Sequence, residues 1–481
     1  MEGGLPALSV KMSTPQTEYR RRTTGFIATI CLLLALNQAA LTQTPPSPQR
    51  EQLLNGLRVL HWFRPGSPDV LIMVRLHSGA AFDLAGKAGE MALLGDLLFP
   101  DKTTLDYFTE MEGRLDVSTN YDSITVTMQA RATQFERMIE LLRNALLATQ
   151  LTPETVARIR EARIKIVRET AISPATVADR AIARRLFADF PYGRPASGSA
   201  EDLERVGRGD LMLARDRFLN SNNATMAIVG GVEMSRVMRT SRQLLGPWRK
   251  SDQIVPTTFR QPQPPDVRTL IISGPADQTA EIRLALRGLA RSDDDASAAA
   301  VLAIIARHRW EELVPELNRK PSFVRSETHV LPGIFVMGTA VDSRMVADAT
   351  TAARKVMDSL ATTPATSAEL TRAKGEVTAE ITSLLAKPEG MVNAWLDLDT
   401  YRLAPITDQL AKLQVLSVAD IQRVANRLFR EAAIASIAVG DTQQLKAALL
   451  GRQQFEVMGE IASPAPTPKA PNKPVGVVSP R

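Results

Sequence analysis

The sequence is very short of cysteine, with only Cys31 among its 481 residues. Cys31 lies in an apolar run from Phe26 to Leu36, which resembles the middle of a secretory signal. Once such a signal is removed, the mature chain contains no thiol. This excludes a disulfide framework and a cysteine-ligated metal centre.

Long hydrophobic runs are also lacking. The run from Phe26 to Leu36 is too short to cross a bilayer, so no stable membrane insertion is expected after signal removal. The run follows Arg20 to Arg22 and precedes small or polar residues, as in an export signal. We therefore expect residues 1–42 to be a signal peptide, with the true start at Met1 or Met12, and the protein to be periplasmic or otherwise exported in a bacterium. A cleaved signal and an uncleaved anchor both fit.

The central part of the chain carries little excess charge. Of the net charge of +6, residues 1–42 contribute +2 and the last nineteen residues +3, which leaves +1. This gives no basic footprint for phosphate groups and argues against a nucleic-acid partner. A composition of 44% hydrophobic and 23% charged residues is typical of a globular protein.

What the sequence does contain is an internal repeat. Three short matches recur with an offset of 210 residues. Asp210-Leu211 corresponds to Asp420-Ile421, Arg217 to Leu219 corresponds to Arg427 to Phe429, and Val229-Gly230 corresponds to Val439-Gly440. A further match at an offset of 211, Thr152-Pro153-x-Thr155 against Thr363-Pro364-x-Thr366, is predicted to open a long charged helix in each copy. The chain is therefore predicted to be a tandem duplication.

Each copy places strands ahead of helices. Residues 124–129 alternate between apolar and polar side chains, which indicates a strand, and an amphipathic helix follows at 135–146. Residues 334–341 and 346–360 repeat this order. We predict an α+β fold of two duplicated lobes, each a mostly antiparallel β-sheet covered on one face by helices, with a proline-rich linker between them.

The predicted domain boundaries follow from composition. The signal peptide at 1–42 precedes an N-terminal lobe at 43–253, and proline-rich residues 254–266 form the linker. The C-terminal lobe is predicted at 267–450. Residues 463–481 contain six prolines and are predicted to be a disordered tail.

Four segments occur in a characteristic order: Asn55 to Leu60, Val74 to Ala80, Gly113 to Thr119 and Phe190 to Gly198. The third is similar to a G-x-x-N-A-x-T sequence and the fourth to an H-P-Y-G-x-P loop. In this order they resemble the pitrilysin/insulinase-type metallopeptidases, in particular the bacterial two-lobed branch that is similar to mitochondrial processing peptidases. The resemblance extends to about Asp441.

The resemblance also identifies a missing motif. The family's catalytic helix contains H-x-x-E-H, in which two histidines bind zinc, the glutamate activates water and a downstream glutamate completes the site. Here Ala92 and Asp96 stand at the histidine positions, Gly95 at the base, and Glu169 at the downstream glutamate. Because alanine cannot bind metal and glycine cannot accept a proton, we predict no catalytic residue, no metal ligand and no cofactor in this chain. The zinc is expected in a partner.

No histidine replaces the missing ligands. Neither H-x-x-E-H nor H-E-x-x-H occurs in the sequence. His61 and His77 fall in predicted strands, while His308 and His329 belong to the second lobe.

The acidic side chains near the motif have a simpler interpretation. Glu90, Asp96 and Glu169 are expected to be solvated charges on helix faces. Lys87 and Arg168 are the candidate ion-pair partners.

The resemblance implies two elements that hold substrate. A peptide is expected to add to an edge strand beside the metal helix through main-chain hydrogen bonds. The candidate substrate-binding residues are Asp116, Val117, Ser118 and Thr119.

The second element is an arginine and a tyrosine in the second lobe. The resemblance places Arg309 at the start of this segment, but Val314 stands where the following arginine is expected and Phe323 is the nearest aromatic residue. The pair is predicted to be eroded, with Arg319 and Arg325 either replacing it or lying as exposed loop charges.

The preferred interpretation is a non-catalytic subunit of a zinc metallopeptidase. It would pair with an active, zinc-bearing homologue and form a chamber that degrades a peptide or unfolded protein. One alternative is a stand-alone peptide-binding or scaffold protein with the same fold. Another is an active metallopeptidase with an unconventional site at Asp96 and Glu169.

Overall fold

A computed structural model describes residues 46–252, 259–275, 278–319 and 322–459, except for the side chains of residues 318 and 319. The predicted signal peptide at 1–42, the tail at 463–481 and the first part of the linker lie outside the described residues. Those from Ser47 onward belong to one compact unit. Within the described residues, no helix is both long and apolar enough to span a membrane.

In the part of the chain that the structure describes, twelve strands form two sheets. The first sheet contains β1 (Gln49–Gln52), β2 (Arg58–Phe63), β3 (Asp69–Leu76), β4 (Arg114–Thr119), β5 (Ile124–Arg131) and β6 (Ala224–Gly230). The second contains β7 (Thr269–Ser273), β8 (Thr279–Arg287), β9 (Ser322–Glu327), β10 (Ile334–Asp342), β11 (Ala435–Gly440) and β12 (Phe455–Val457).

The two sheets have matching orders for five of their six strands, while the outer strands β1 and β12 differ in chain position and direction. The first runs β1-β2-β6-β3-β5-β4 and the second β12-β7-β11-β8-β10-β9. In the first sheet only β2 and β6 are parallel, and in the second only β7 with its two neighbours. The predicted α+β fold of two duplicated, mostly antiparallel sheets is confirmed. Strand β12 joins the second sheet beyond residue 450, where the lobe was expected to end.

Fifteen α-helices accompany the sheets in the described residues. The first half contains α1 (Glu90–Asp96), α2 (Lys102–Glu110), α3 (Phe135–Leu147), α4 (Pro153–Thr170), α5 (Pro174–Phe187), α6 (Ala200–Arg205), α7 (Arg208–Phe218) and α8 (Met234–Leu245). The second contains α9 (Ala296–Leu313), α10 (Val346–Thr362), α11 (Ser367–Leu385), α12 (Pro388–Tyr401), α13 (Ile406–Val415), α14 (Val418–Phe429) and α15 (Thr442–Leu449).

The repeated Thr-Pro sequence opens only one of the two long helices. Thr152 caps α4, and its hydroxyl accepts a hydrogen bond from the Thr155 N–H at 3.2 Å. Helix α11 instead begins after Thr366, because Thr366 and Glu369 form a reciprocal capping box. The second helix therefore starts later than Thr363-Pro364 predicted.

Each sheet has helices of its own half on one face. A large apolar core lies between the first sheet and helices that include α1, α3, α4, α7 and α8. An equivalent core lies between the second sheet and helices that include α9, α10, α11 and α14. These two cores are where most of the alternating apolar side chains of the strands are buried.

The opposite face of each sheet is covered by a helix from the other half. On α5 of the first half, Ile182 and Leu186 pack against the second sheet, where they meet Val336 of β10 and Ile437 of β11. On α12 of the second half, Trp395 packs against the first sheet in a cluster that includes residues of β2, β3 and β6. The two halves therefore exchange helices and share their apolar cores.

Polar contacts accompany each exchanged helix. Arg75 on β3 donates to Asp397 at 2.5 Å and to Asn393 at 2.7 Å, both on α12. Arg283 on β8 donates to Asp179 of α5 at 2.6 Å. Each half thus presents a buried arginine from its sheet to the other half's helix, which fixes the register of the contact.

We expect the exchanged helices to couple the stability of the two halves. Trp395→Ala should cost about 3–5 kcal/mol and Ile182→Ala about 2–5 kcal/mol, because each leaves a cavity between sheet and helix. Leu213→Ala, at a position that is 70% exposed, is the matched control and should change stability by less than about 0.5 kcal/mol.

Urea unfolding with amide hydrogen exchange provides the measurement. Trp395→Ala should increase exchange in the first sheet, although Trp395 belongs to the second half. Separate unfolding transitions for the halves in the unsubstituted chain, or increased exchange confined to the second half, would contradict this coupling.

A half-buried histidine lies at the same interface. His77 Nδ1 lies 3.0 Å from Oγ1 of Thr400 on α12, and its Nε2 lies 3.0 Å from Oγ1 of Thr225. Burial, reinforced by the positive charges of Arg58 and Arg75, lowers the pKa of His77 from its ordinary 6.5 to about 3.

His77 should therefore make the fold sensitive to acid. Because the folded chain resists protonation of His77 and the unfolded chain does not, its contribution to stability is complete above pH 6.5 and is lost as the pH falls toward 3. The free energy of unfolding of the unsubstituted chain, minus that of His77→Gln, should decrease as the pH falls from 7 to 4. A difference that is constant with pH, measured by urea unfolding, would show that His77 takes up a proton as readily in the folded chain as in the unfolded chain.

Candidate functional site

The helix that aligns with the metal-binding motif is α1, which lies against the edge strand β4. The carboxylate of Asp83 accepts hydrogen bonds from the N–H groups of Gly89 at 2.7 Å and Met91 at 2.8 Å, and so satisfies donors at the start of α1. The position of α1 is thus fixed at its first turn without a metal.

Packing fills the space at the two positions of α1 that correspond to the first zinc-binding histidine and to the water-activating glutamate of the family's motif. Ala92 is only 1% exposed. A methyl group added at Gly95 would lie 2.9 Å from Thr119 Oγ1 and 3.5 Å from Val117 Cγ1 on β4. Since side chains of β4 occupy this space, a glutamate at position 95 would require at least the Thr119 side chain to shift.

The second histidine position is taken by an ion pair. Arg163 of α4 binds Asp96 through two parallel hydrogen bonds, with 2.7 Å between Arg163 Nη2 and Asp96 Oδ1 and a shorter one from Nε to Oδ2. The Arg163 side chain is 17% exposed and that of Asp96 29%. Arg163 also donates to the carbonyl of Ser197 at 3.3 Å. The ion pair therefore links α1, α4 and the loop that precedes α6.

The expected ion-pair partners near this helix are wrong. Asp96 pairs with Arg163, while Lys87 pairs with Asp210 at 2.6 Å and Arg168 with Glu204 at 3.0 Å. Nothing in the spacing of the sequence marked Arg163, because its contact with Asp96 depends on how α1 and α4 pack.

The other two acidic residues differ from each other. Glu90, predicted to be solvated, is only 3% exposed, and its carboxylate accepts a hydrogen bond from the Leu84 N–H at 3.1 Å. The prediction is wrong because the loop before α1 covers its first turn; burial raises the pKa of Glu90. The Glu169 side chain is 62% exposed, with Lys165 Nζ 3.9 Å away. Glu169 is therefore a solvated charge, as predicted.

This donor set does not fit zinc. Both oxygens of Asp96 are engaged by Arg163, and Ala92 supplies no donor atom. Among the residues that the structure describes, no group of three or more histidine, cysteine, aspartate or glutamate side chains could hold a metal ion. Because catalytic zinc requires three protein ligands, α1 and its neighbours lack the donor atoms of a hydrolytic zinc site.

The four histidines lie apart from this helix. His61 is buried in β2 and contacts the Val232 carbonyl at 2.8 Å, whereas His77 directly follows β3. In the second half, His308 of α9 lies 2.7 Å from Glu376 of α11.

The candidate peptide-binding residues lie on β4, and their side chains alternate between the two faces of the sheet. Val117 and Thr119 face α1 and are half-buried, while Asp116 and Ser118 are exposed. Within the described part of the chain, β4 pairs only with β5. One edge of β4 thus presents main-chain groups that an extended peptide could pair with.

A cavity of about 590 Å³ lies beside this edge, between the two halves. From the first half, Thr119, Arg163 and residues of α5 line it. From the second half, Phe323, Arg325 and Glu327 of β9 line it. The edge strands β4 and β9, one from each sheet, therefore contribute to the same cavity.

The second-half residues expected to hold substrate are only partly brought together. Arg309 pairs with Glu369 at 2.7 Å and 3.1 Å, and this pair holds the pKa of Glu369 at about 2. Val314 is buried. Arg325 lies over the Phe323 ring, with 4.2 Å from Cζ to the ring centroid. The side chain of Arg319 lies outside the described residues.

A buried carboxylate at the end of β4 was not predicted. Asp122 is 4% exposed and accepts hydrogen bonds from the hydroxyls of Tyr192 at 3.4 Å and Tyr401 at 3.1 Å and from the Val330 N–H at 3.2 Å. His329 Nδ1 lies 3.2 Å from the same carboxylate. Burial, ahead of the negative charge of Asp122, raises the pKa of both tyrosines. Of these residues, the sequence pointed only to His329, as a histidine of the second lobe, and to the segment that contains Tyr192.

Two family models match the chain. Residues 78–199 match the model described as Insulinase (Peptidase family M16), and residues 205–377 match the model described as Peptidase M16 inactive domain. An uncharacterized zinc protease from Rickettsia bellii is 18% identical over 199 residues, which are 40% of this chain and 48% of that protein. The chain thus spans about half the length of the curated relative it matches.

Solved structures have the same fold. A protease from Helicobacter pylori superimposes with a TM-score of 0.74 at 18% identity, covering 82% of this chain and 99% of that one. A peptidase M16 inactive domain from Pseudomonas fluorescens gives 0.72 at 17% identity, covering 82% and 98%. At these identities the likeness concerns the fold.

The ion pair between Asp96 and Arg163 should contribute measurable stability. In a double-mutant cycle with Asp96→Asn and Arg163→Gln, we expect a coupling energy of about 1–2 kcal/mol, because the two-point contact is largely shielded from water. The matched control is the exposed pair of Lys102 and Asp106, which should couple by less than about 0.5 kcal/mol. Equal coupling in the two cycles would show that the Asp96 pair is only a surface contact.

Proposed function

Because this chain belongs to the insulinase (peptidase M16) family, we propose that it is a non-catalytic subunit that pairs with a zinc-bearing homologue to form a peptide-degrading chamber. The chain supplies part of the chamber wall and a surface that holds peptide. The partner supplies the zinc and the water-activating glutamate. The substrate is a peptide or an unfolded protein.

The proposal that this chain is non-catalytic rests on the side chains of α1 at positions 92, 95 and 96. A hydrolytic zinc site needs ligands to hold the metal and a base to take a proton from its bound water. At the corresponding positions this chain has a buried methyl group at Ala92, a packed Gly95 and an Asp96 that is neutralised by Arg163. The helix keeps its place in the fold but has no group free to perform either task.

The surroundings of α1 support a retained role in holding peptide. Edge strand β4 keeps an open side, and the adjacent cavity of about 590 Å³ is of ordinary size for a binding site. Main-chain pairing to an edge strand requires no particular side chain, so it survives the loss of the catalytic residues. This combination favours a substrate-holding subunit over an unconventional enzyme.

Pairing and export are further parts of the proposal. The exchange of α5 and α12 gives a chain whose two halves are held together, as suits one wall of a larger chamber. Export to the bacterial periplasm rests on the sequence of residues 1–42 alone.

Cleavage of a fluorogenic unfolded peptide by the purified chain, by a homologue with intact H-x-x-E-H and by their mixture tests the proposal. We expect no turnover by this chain alone, and a complex in the mixture that cleaves the peptide faster than the homologue alone does. Substitution of a zinc-binding histidine in the homologue should abolish the activity of the mixture. Glu169→Gln in this chain should leave it unchanged, since Glu169 is exposed.

Two results would contradict the proposal. Turnover by the lone chain that Glu169→Gln abolishes would assign a catalytic site to this chain. Failure to form a complex with any homologue, measured by size-exclusion chromatography with light scattering, would overturn the pairing.

A further inference from the structure

The wall of the cavity formed by the second half has a distinct chemistry, and its interpretation rests on the proposed peptide-binding function. Its centre is the Phe323 ring on β9. Arg283 and Arg325 flank this ring, with guanidinium carbons 5.0 Å and 4.2 Å from its centroid. Both distances are typical of cation–π contacts.

A glycine leaves the space on the sheet in which this ring lies. Gly338 lies opposite Phe323 in the register of β9 and β10. A methyl group added at Gly338 would lie 2.4 Å from Phe323 Cζ and 2.7 Å from Arg283 Cδ. The ring can lie flat on the sheet, between the two arginines, only because position 338 has no side chain.

The two arginines differ in how far their charge is neutralised. The side chain of Arg283 is 3% exposed and pairs with Asp179 at 2.6 Å and Glu281 at 2.7 Å. The side chain of Arg325 is 60% exposed, and its ion-pair partner, the exposed Glu327, is 3.7 Å away. The charge of Arg283 is therefore satisfied within the protein, while that of Arg325 is available at the cavity surface.

The opposite wall adds a second available cation. Arg180 of α5 lines the same cavity and, among the described residues, has no hydrogen bond or ion pair to another side chain. Arg163, which also lines the cavity, is occupied by Asp96. Arg180 thus faces the cavity without a carboxylate partner among the described residues, and Arg325 faces it from the opposite wall with the exposed Glu327 3.7 Å away.

Apolar side chains lie between these charges. Phe187 of α5 and Ile334 and Val336 of β10 line the cavity and belong to the apolar cluster between the halves. A ligand that fits this surface carries both a carboxylate and an apolar group. Peptides that contain Asp or Glu next to an apolar residue have this combination.

We propose that the cavity is a subsite for an acidic peptide, in which Arg325 and Arg180 bind a carboxylate and the apolar surface takes a neighbouring side chain. The Phe323 ring, which packs against Gly338, holds the Arg325 guanidinium in place before the peptide binds. This preorganisation reduces the side-chain entropy lost on binding. The subsite therefore selects among the extended peptides that β4 can hold.

Fluorescence anisotropy with matched peptides and the full chain tests this subsite. One peptide carries an internal Glu next to Leu with an amidated C-terminus, and its partner carries Gln in place of Glu. A third peptide carries Gln and a free C-terminal carboxylate, which separates a side-chain carboxylate from a terminal one. We expect the Glu peptide to bind about five- to tenfold more tightly than the amidated Gln peptide, as for a charge-assisted hydrogen bond that is partly exposed.

Substitutions then test whether Arg325 and Arg180 cause the preference for the Glu peptide over the Gln peptide. Arg325→Gln and Arg180→Gln should each reduce the ratio of Glu to Gln affinity toward one, without changing the affinity for the amidated Gln peptide. Arg137→Gln is the control of equal charge change, because Arg137 lies outside the cavity and pairs with Glu140. It should leave the ratio intact. Thermal unfolding confirms that each variant is folded.

The outcomes separate this inference from the function on which it rests. Equal binding of the Glu and Gln peptides, or a preference that survives both arginine substitutions, overturns the acidic subsite and leaves the peptide-holding function standing. Tighter binding of only the peptide with a free C-terminus assigns the carboxylate to a chain end and overturns the side-chain preference. Absence of binding by every peptide contradicts the proposed peptide-holding function itself.

Discussion

Burial of α5 on the second sheet and of α12 on the first is the contact on which the rest of this molecule depends. Each sheet is covered on one face by helices of its own half and on the other by a single helix of the opposite half. Neither sheet could separate from the other half without exposing a whole apolar face to water. The last strands of the two sheets, β4 and β9, are thereby held on either side of one cavity.

Within this frame α1 aligns with the metal-binding helix of the family but has alanine, glycine and aspartate where that helix has histidine, glutamate and histidine. A zinc ion bound between two helices contributes to folding as well as to catalysis, so its loss removes a link between them. Here the pair of Asp96 and Arg163 links α1 to α4, and Asp83 fixes the first turn of α1. The absence of a side chain at Gly95 lets Val117 and Thr119 of β4 pack closely against the helix. The pair that links α1 to α4 therefore also engages both carboxylate oxygens that Asp96 could offer to a metal ion.

Much of the fold was accessible from the sequence, because duplication and hydrophobic periodicity are local signals. The two sheets and their mostly antiparallel pairing followed from these, whereas the missing metal motif followed from the resemblance to a known family. The exchange of α5 and α12 did not, since an amphipathic helix shows that one face is buried but not which sheet covers it. Arg163, Asp122 and the burial of Glu90 were missed for the same reason. Each depends on contacts between segments that are distant along the chain. The start of the second long helix differs for a local reason, because the capping box of Thr366 and Glu369 begins this helix after Thr366 and not at the repeated Thr-Pro pair.

The central claim is that an ion pair and close packing have replaced the metal site on α1. X-ray diffraction at the zinc absorption edge, from crystals grown in excess zinc, tests it most directly. We expect no anomalous density beside α1 and an intact pair of Asp96 and Arg163. Strong anomalous density at Asp96, held by three groups of this chain with Arg163 displaced, would contradict the claim.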